Sequence, residues 1–93
     1  MIYRIDYHEL VVKEDIPKLS GANKLRIKKS IEDKLVTDPE VFGKPLRRSL
    51  KNYQSLRVGD YRVIFRIEEA RVKIFIIQHR SVVYKKAPMK RLA

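Results

Sequence analysis

Two arginines stand opposite each other across an expected hairpin in the run Leu56-Arg57-Val58-Gly59-Asp60-Tyr61-Arg62. A Gly-Asp dipeptide flanked by apolar residues is a two-residue turn signal. With Gly59 and Asp60 as the turn, Val58 faces Tyr61, Arg57 faces Arg62 and Leu56 faces Val63. Directly opposed residues point to the same face of an antiparallel pair. Leu56, Val58, Tyr61 and Val63 therefore make a core face, and the two arginines share the other. Opposed like charges cost up to roughly 1 kcal/mol, so the pair reads as a device for holding an anion. The bland alternative is two solvated arginines. A second group lies further on: His79, Arg80 and Tyr84, with Lys85 and Lys86 beside the tyrosine. On its strand His79 has the parity of Lys73, Phe75 and Ile77. Pairing 61–68 with 72–79 brings His79 and Arg80 to the neighbourhood of Arg62. One helical turn then returns Tyr84 to the same mouth. Fixed cations, an imidazole with an ordinary pKa of about 6.5 and a phenol can together hold an anion and move a proton.

The elements that must position these side chains follow from periodicity. Residues 2–7 alternate Ile2, Arg4, Asp6 against Tyr3, Ile5, Tyr7, the pattern of a strand with one apolar face. Val12, Ile16 and Leu19 recur at helical spacing, and Pro17 imposes a kink or break near Asp15-Ile16 because it lacks an N–H donor. Ser20 is a good N-cap for a second helix striped by Ile27, Ile31 and Leu35. Its lysines Lys24, Lys28 and Lys29 read as a solvated face. Asp38-Pro39 ends it. Residues 39–52 form a basic connector with Lys44, Arg47, Arg48 and Lys51. Strands over about 53–58 and 61–68 make the hairpin. A turn near Glu69-Ala70 leads to a run from Val72 to His79 that is apolar on both faces, as for an inner strand. The tail from Arg80 is short, basic and partly helical. The order β-α-α-β-β-β favours an α+β fold in a single domain over residues 1–93.

Composition narrows the partners. The 93 residues carry 22 Lys plus Arg against 11 Asp plus Glu, a net charge of +11. Such a surface fits a polyanion. An apolar content of 44% excludes disorder as the source of the charge. There is no cysteine, and His8 and His79 are the only histidines, so disulfides, thiolate sites and a histidine-rich metal site are excluded. No stretch approaches the roughly 18 apolar residues of a membrane span. The N-terminus lacks the apolar run of a signal peptide, and a cytoplasmic protein is the expectation.

The stretch Gly43-Lys44-Pro45-Leu46, the hairpin from Leu56 to Phe65 and the signature His79-Arg80-Ser81-Val82-Val83-Tyr84 together resemble the RelE toxins of the RelE/ParE toxin–antitoxin superfamily. The resemblance covers nearly the whole chain. It implies a RelE-like microbial RNase fold with an antiparallel meander and a short C-terminal helix. It also implies a ribosome-dependent endoribonuclease that cuts mRNA in the A site without cofactor or metal. In that chemistry the 2′-hydroxyl attacks the adjacent phosphorus and leaves a 2′,3′-cyclic phosphate. The implied partners are a cognate antitoxin, the ribosome and mRNA, with operator DNA bound only in complex with antitoxin and no membrane contact. Carried over residue by residue, Arg62 matches the arginine that stabilises phosphate charge, and Arg80 and Tyr84 match an arginine and a tyrosine near the C-terminus. His79 stands where several members have histidine. Lysines that the founding toxin carries before the turn fall at Tyr53 and Ser55 here, which leaves His79 or Tyr84 for the base. The expected catalytic set is thus Arg57, Arg62, His79, Arg80 and Tyr84. Lys44, Arg47, Arg48, Lys51, Lys85 and Lys86 are expected to contact RNA or ribosome. The same superfamily offers a rival, a ParE-like inhibitor of DNA gyrase without nuclease activity. A degenerate toxin that only binds antitoxin is another.

Overall fold

The computed structural model describes residues 1–46 and 52–92. Strand β1 (Arg4–Tyr7) leads into an irregular helical segment, a wide turn over Val11–Asp15 that tightens to a 3-10 turn over Ile16–Lys18. The change of pitch falls where Pro17 removes a donor, as the sequence requires. Helix α1 (Gly21–Ser30) starts from Ser20, whose Oγ accepts the Asn23 N–H at 3.2 Å, and continues into a wide turn over Ile31–Leu35. A one-turn helix α2 (Pro39–Phe42), with proline at its start, leads to a two-residue strand β2 (Lys44–Pro45). The expected connector thus contains a helical turn and an edge strand. Strands β3 (Tyr53–Val58), β4 (Tyr61–Glu68) and β5 (Arg71–His79) follow as a meander, and the chain ends in α3 (Lys86–Met89) and a 3-10 turn.

The five strands lie in the order β1-β5-β4-β3-β2. All neighbours are antiparallel except β1 and β5, which are parallel. The hairpin register is the expected one: Val58 opposite Tyr61, Arg57 opposite Arg62, Leu56 opposite Val63. Gly59 has φ +59° and supplies the positive φ of a tight hairpin turn. Gly43 answers a different need. A Cβ there would lie 2.4 Å from both Gln54 Oε1 and Phe65, so only glycine lets the chain enter β2 this close to the sheet.

Both faces of the sheet are covered, unequally. On one face Val11, Leu19, Ile27, Ile31 and Leu35 from the helical segments pack on Leu56, Val58, Val63, Phe65, Val72, Ile74 and Ile77. On the other, Val83 and Leu92 from the C-terminal segment pack on Tyr53, Ile64, Phe75 and Ile76. Among the described residues the hairpin end of this second face is left open, with Arg57 and Tyr84 exposed.

Two expectations are corrected. Ile16 and Leu19 of the first helical stripe pack on the core as expected, but Val12 is exposed, and the fully inward positions are Val11, Asp15 and Leu19. A carboxylate occupies the middle inward position, which hides the true phase from a count of apolar residues. The strand parity also fails, because β5 carries a bulge: Ile64 pairs with Ile76 and Phe65 with Ile74, leaving Phe75 as the extra residue. One added residue flips every side chain beyond it. Ile77 and His79 therefore lie on the helix-covered face, while Lys73 and Phe75 lie on the other.

Candidate active-site groove

The open end of the second face holds a groove of about 290 Å³ lined by Phe42, Lys44, Pro45, Leu46, Ser55, Arg57, Arg62 and Tyr84. Each wall has a local cause. Lys44 sits opposite Ser55 across the β2–β3 pair, and Arg57 opposite Arg62 across the hairpin. The C-terminal segment, anchored by Val83 at 0% exposure, places the adjacent Tyr84 over the groove with 53% of its surface exposed.

The Arg62 guanidinium is fixed from within the turn. Its Nη1 donates to the carbonyls of Gly59 at 3.0 Å and Tyr61 at 2.9 Å. Among the described residues no carboxylate lies within ion-pair distance of Arg57 or Arg62. The described lining thus presents three cations and no acid, around a space that a phosphate group fits in size and charge. An exposed aromatic at the rim offers a stacking surface for a base.

The other expected residues fall elsewhere. His79 is opposite Tyr61, its ring edge-on at 5.5 Å. Its Nδ1 accepts the Ser81 N–H at 3.1 Å, so in the neutral ring the proton sits on Nε2. It lines a separate cleft with Tyr61, Gln78, Asp15 and Arg91, and Gln78 is the residue opposite Arg62. The sheet therefore does not bring His79 to the arginine pair; the bulge at Phe75 turns it to the opposite face. Arg80 ties the end of β5 to the hairpin tip. Its N–H donates to the Asp60 carbonyl at 2.8 Å, and its Nε lies 3.7 Å from the exposed Asp60 carboxylate. Lys85 and Lys86 are exposed beside Tyr84 and outside the groove lining. Arg47, Arg48 and Lys51 lie outside the described residues. Tyr53 is core: its hydroxyl accepts from Arg66 Nη1 at 2.9 Å and its ring packs edge-on against Phe75. Ser55 faces the groove.

Sequence reasoning missed the group that fastens the groove's third wall. Asp15 is buried and accepts four hydrogen bonds. The Ile77 N–H reaches Oδ2 at 2.9 Å and Gln78 Nε2 reaches Oδ1 at 3.0 Å. Arg91 adds a two-pronged contact at 2.7 and 3.0 Å. Arg91 Nη1 also donates to the Phe75 carbonyl at 3.2 Å. β1 covers β5 only as far as Ile74, so Asp15 and Arg91 satisfy the edge beyond it and hold the C-terminal segment there. The available signal was the phase of Asp15 with Val11 and Leu19. Among the described residues no group of three His, Cys, Asp or Glu is placed to hold a metal ion, and no helix is long and apolar enough to cross a membrane.

This architecture, a mixed five-stranded sheet with helical segments packed on it, is that of RelE-type toxins. The toxin–antitoxin complex RelBE2 from Mycobacterium tuberculosis matches 87% of this chain and 94% of its counterpart at 29% identity, with a TM-score of 0.79. A doubly substituted E. coli toxin RelE in the free state matches 99% of this chain and 95% of that one with a TM-score of 0.73; at 17% identity this likeness speaks for the fold alone. The family described as ParE toxin of type II toxin-antitoxin system, parDE, matches residues 12–84, and the chain belongs to it. Among curated proteins, Toxin RelE of Mycobacterium tuberculosis H37Rv is 43% identical over 56 residues, 58% of each chain. Toxin RelG of the same strain is 37% identical over 54 residues, 56% of this chain and 62% of that one. The chain thus spans about three fifths of the length of these relatives.

Proposed function

We propose that this protein is the toxin of a type II toxin–antitoxin pair and acts as a ribosome-dependent endoribonuclease that cuts mRNA in the A site. The observation that carries this is the opposed pair Arg57 and Arg62, with no carboxylate of the described residues within ion-pair distance of either, in one groove with Tyr84. In-line attack by a 2′-hydroxyl builds negative charge on the non-bridging phosphate oxygens. Donors held in place before the reaction lower that barrier most. Arg62, fastened to its own turn, meets that requirement, and Arg57 supplies a second guanidinium. Tyr84 stacks on a base and orients the strand. Arg80, at the hairpin tip, contacts a flanking phosphate, and Lys85 and Lys86 extend the cationic path. His79, turned away with its Nδ1 engaged, is left out of the reacting set. The partners are a cognate antitoxin, the ribosome and mRNA; operator DNA is bound only by the complex with antitoxin.

Addition of purified protein to programmed ribosomes, with the cut mapped by primer extension, tests this. A cut within the A-site codon is expected. Intact message at stoichiometric protein, where a control toxin cuts, would sink it. The family description carries the ParE name, which favours one rival, a gyrase inhibitor. Inhibition of gyrase supercoiling together with intact message would select that rival.

A further inference from the structure

The groove sorts by what its side chains can do with a proton. Phe42, Pro45 and Leu46 carry none to exchange. Arg57 and Arg62 stay protonated under any condition a protein survives. The Ser55 hydroxyl is a weak donor. Lys44 and Tyr84 remain, and only lysine is an ordinary cationic acid at neutral pH. Cleavage of a P–O5′ bond expels an alkoxide, which leaves quickly only when it is protonated as the bond breaks.

The backbone also places Lys44 beside the arginine pair. This lysine lies on β2, which borders β3, which borders β4. Lys44, Arg57 and Arg62 thus come from three adjacent strands, about 4.8 Å apart, and line the same groove. Lys44 occupies one flank, opposite Ser55, and Arg62 the other. The root of Lys44 is clamped on both sides. Gly43 is pressed against Gln54 and Phe65 so closely that a Cβ would collide with both. The Leu46 N–H donates to the Tyr53 carbonyl at 3.0 Å. The fixed backbone sets the root of the side chain beside the arginine pair, and the flexible four-carbon stem lets the ammonium reach the groove that all three line.

We propose that Lys44 is the general acid of the cleavage. This rests on the ribonuclease function proposed above. As the O2′–P bond forms, the 2′-hydroxyl gives its proton to water. As the P–O5′ bond breaks, its electron pair goes to O5′ and Lys44 Nζ supplies the proton that makes the free 5′-hydroxyl. The neutral amine then regains a proton from solvent.

Two messages on programmed ribosomes test the assignment, one with the natural 5′-oxygen at the scissile phosphate and one with sulfur in its place. A thiolate leaves without protonation. Lys44→Arg keeps the charge and removes the usable proton; Lys44→Met removes both. Lys44 is exposed, so both variants are expected to melt as the parent does. With the oxygen message, single-turnover cleavage by Lys44→Arg should fall by about 100-fold or more. With the sulfur message it should stay within about threefold of the parent. Near-parental cutting of the oxygen message by Lys44→Arg would make Lys44 a charge and nothing more. An equal loss on both messages would make it a positioning contact. Either result overturns the proposal while the parent protein still cuts. Failure of the parent itself to cut the oxygen message would instead overturn the ribonuclease function, and this assignment with it.

Discussion

Arg57 and Arg62 face each other on an open patch of sheet where the described residues offer no balancing acid. Their mutual repulsion is a standing cost that a bound phosphate reverses. Removing one preorganised donor to a developing oxyanion typically slows chemistry by about 10²–10³. Arg62→Ala should therefore lower single-turnover cleavage by that order while ribosome affinity falls much less. Proportionate losses in both would reduce Arg62 to a docking contact. Tyr84 calls for a paired test. Tyr84→Phe should cut within about threefold of the parent, since a ring still stacks, whereas Tyr84→Ala should lose roughly 10-fold or more. A large defect in the phenylalanine variant would assign the hydroxyl a chemical role. At this scale the sequence was informative wherever a local rule operates. The Gly59-Asp60 turn set the register of six paired residues. The placement of His79 was not legible, because period-two counting has no means of seeing the single extra residue at Phe75.

The C-terminal segment is the element on which the groove most depends, and its fastening is ionic. Asp15 and Arg91 side chains are 1% and 7% exposed. Breaking a buried pair typically costs about 3–5 kcal/mol, even with the half-exposed Glu14 3.5 Å from Arg91 to offset part of its charge. Asp15→Ala should destabilise by that amount in denaturant unfolding. Asp15→Leu combined with Arg91→Met should recover much of it, because no charge is then left alone. Loss of stability in the double variant equal to that in Asp15→Ala would contradict this explanation. Leu92, at 4% exposure, contributes from the same segment; Leu92→Ala should cost about 2–5 kcal/mol by the same measurement. The helical stripes of α1, the Ser20 cap and the break at Pro17 were readable from the chain. The Asp15–Arg91 contact was not, since it joins residues 76 apart and local pattern is silent on such pairs.

Over the whole molecule, a net charge of +11 is spread over 93 residues, and three of its cations line the groove. The composition by itself pointed to a polyanion. It did not place the cations, and the parallel pairing of β1 with β5, which completes the sheet, has no mark in the sequence of β1. Three groove cations on a single-stranded message imply a slope of about −2 in log affinity against log salt, at roughly −0.7 per phosphate neutralised. A salt-independent association with programmed ribosomes would contradict phosphate recognition altogether. The most direct measurement reads the ends of a message held in the A site after incubation with the protein. The expected products are an upstream fragment ending in a 2′,3′-cyclic phosphate and a downstream fragment beginning with a 5′-hydroxyl, both lost with Arg62→Ala. An upstream 3′-hydroxyl with a downstream 5′-phosphate, or a message left whole, would contradict a groove that works by clamping phosphate for its own 2′-oxygen.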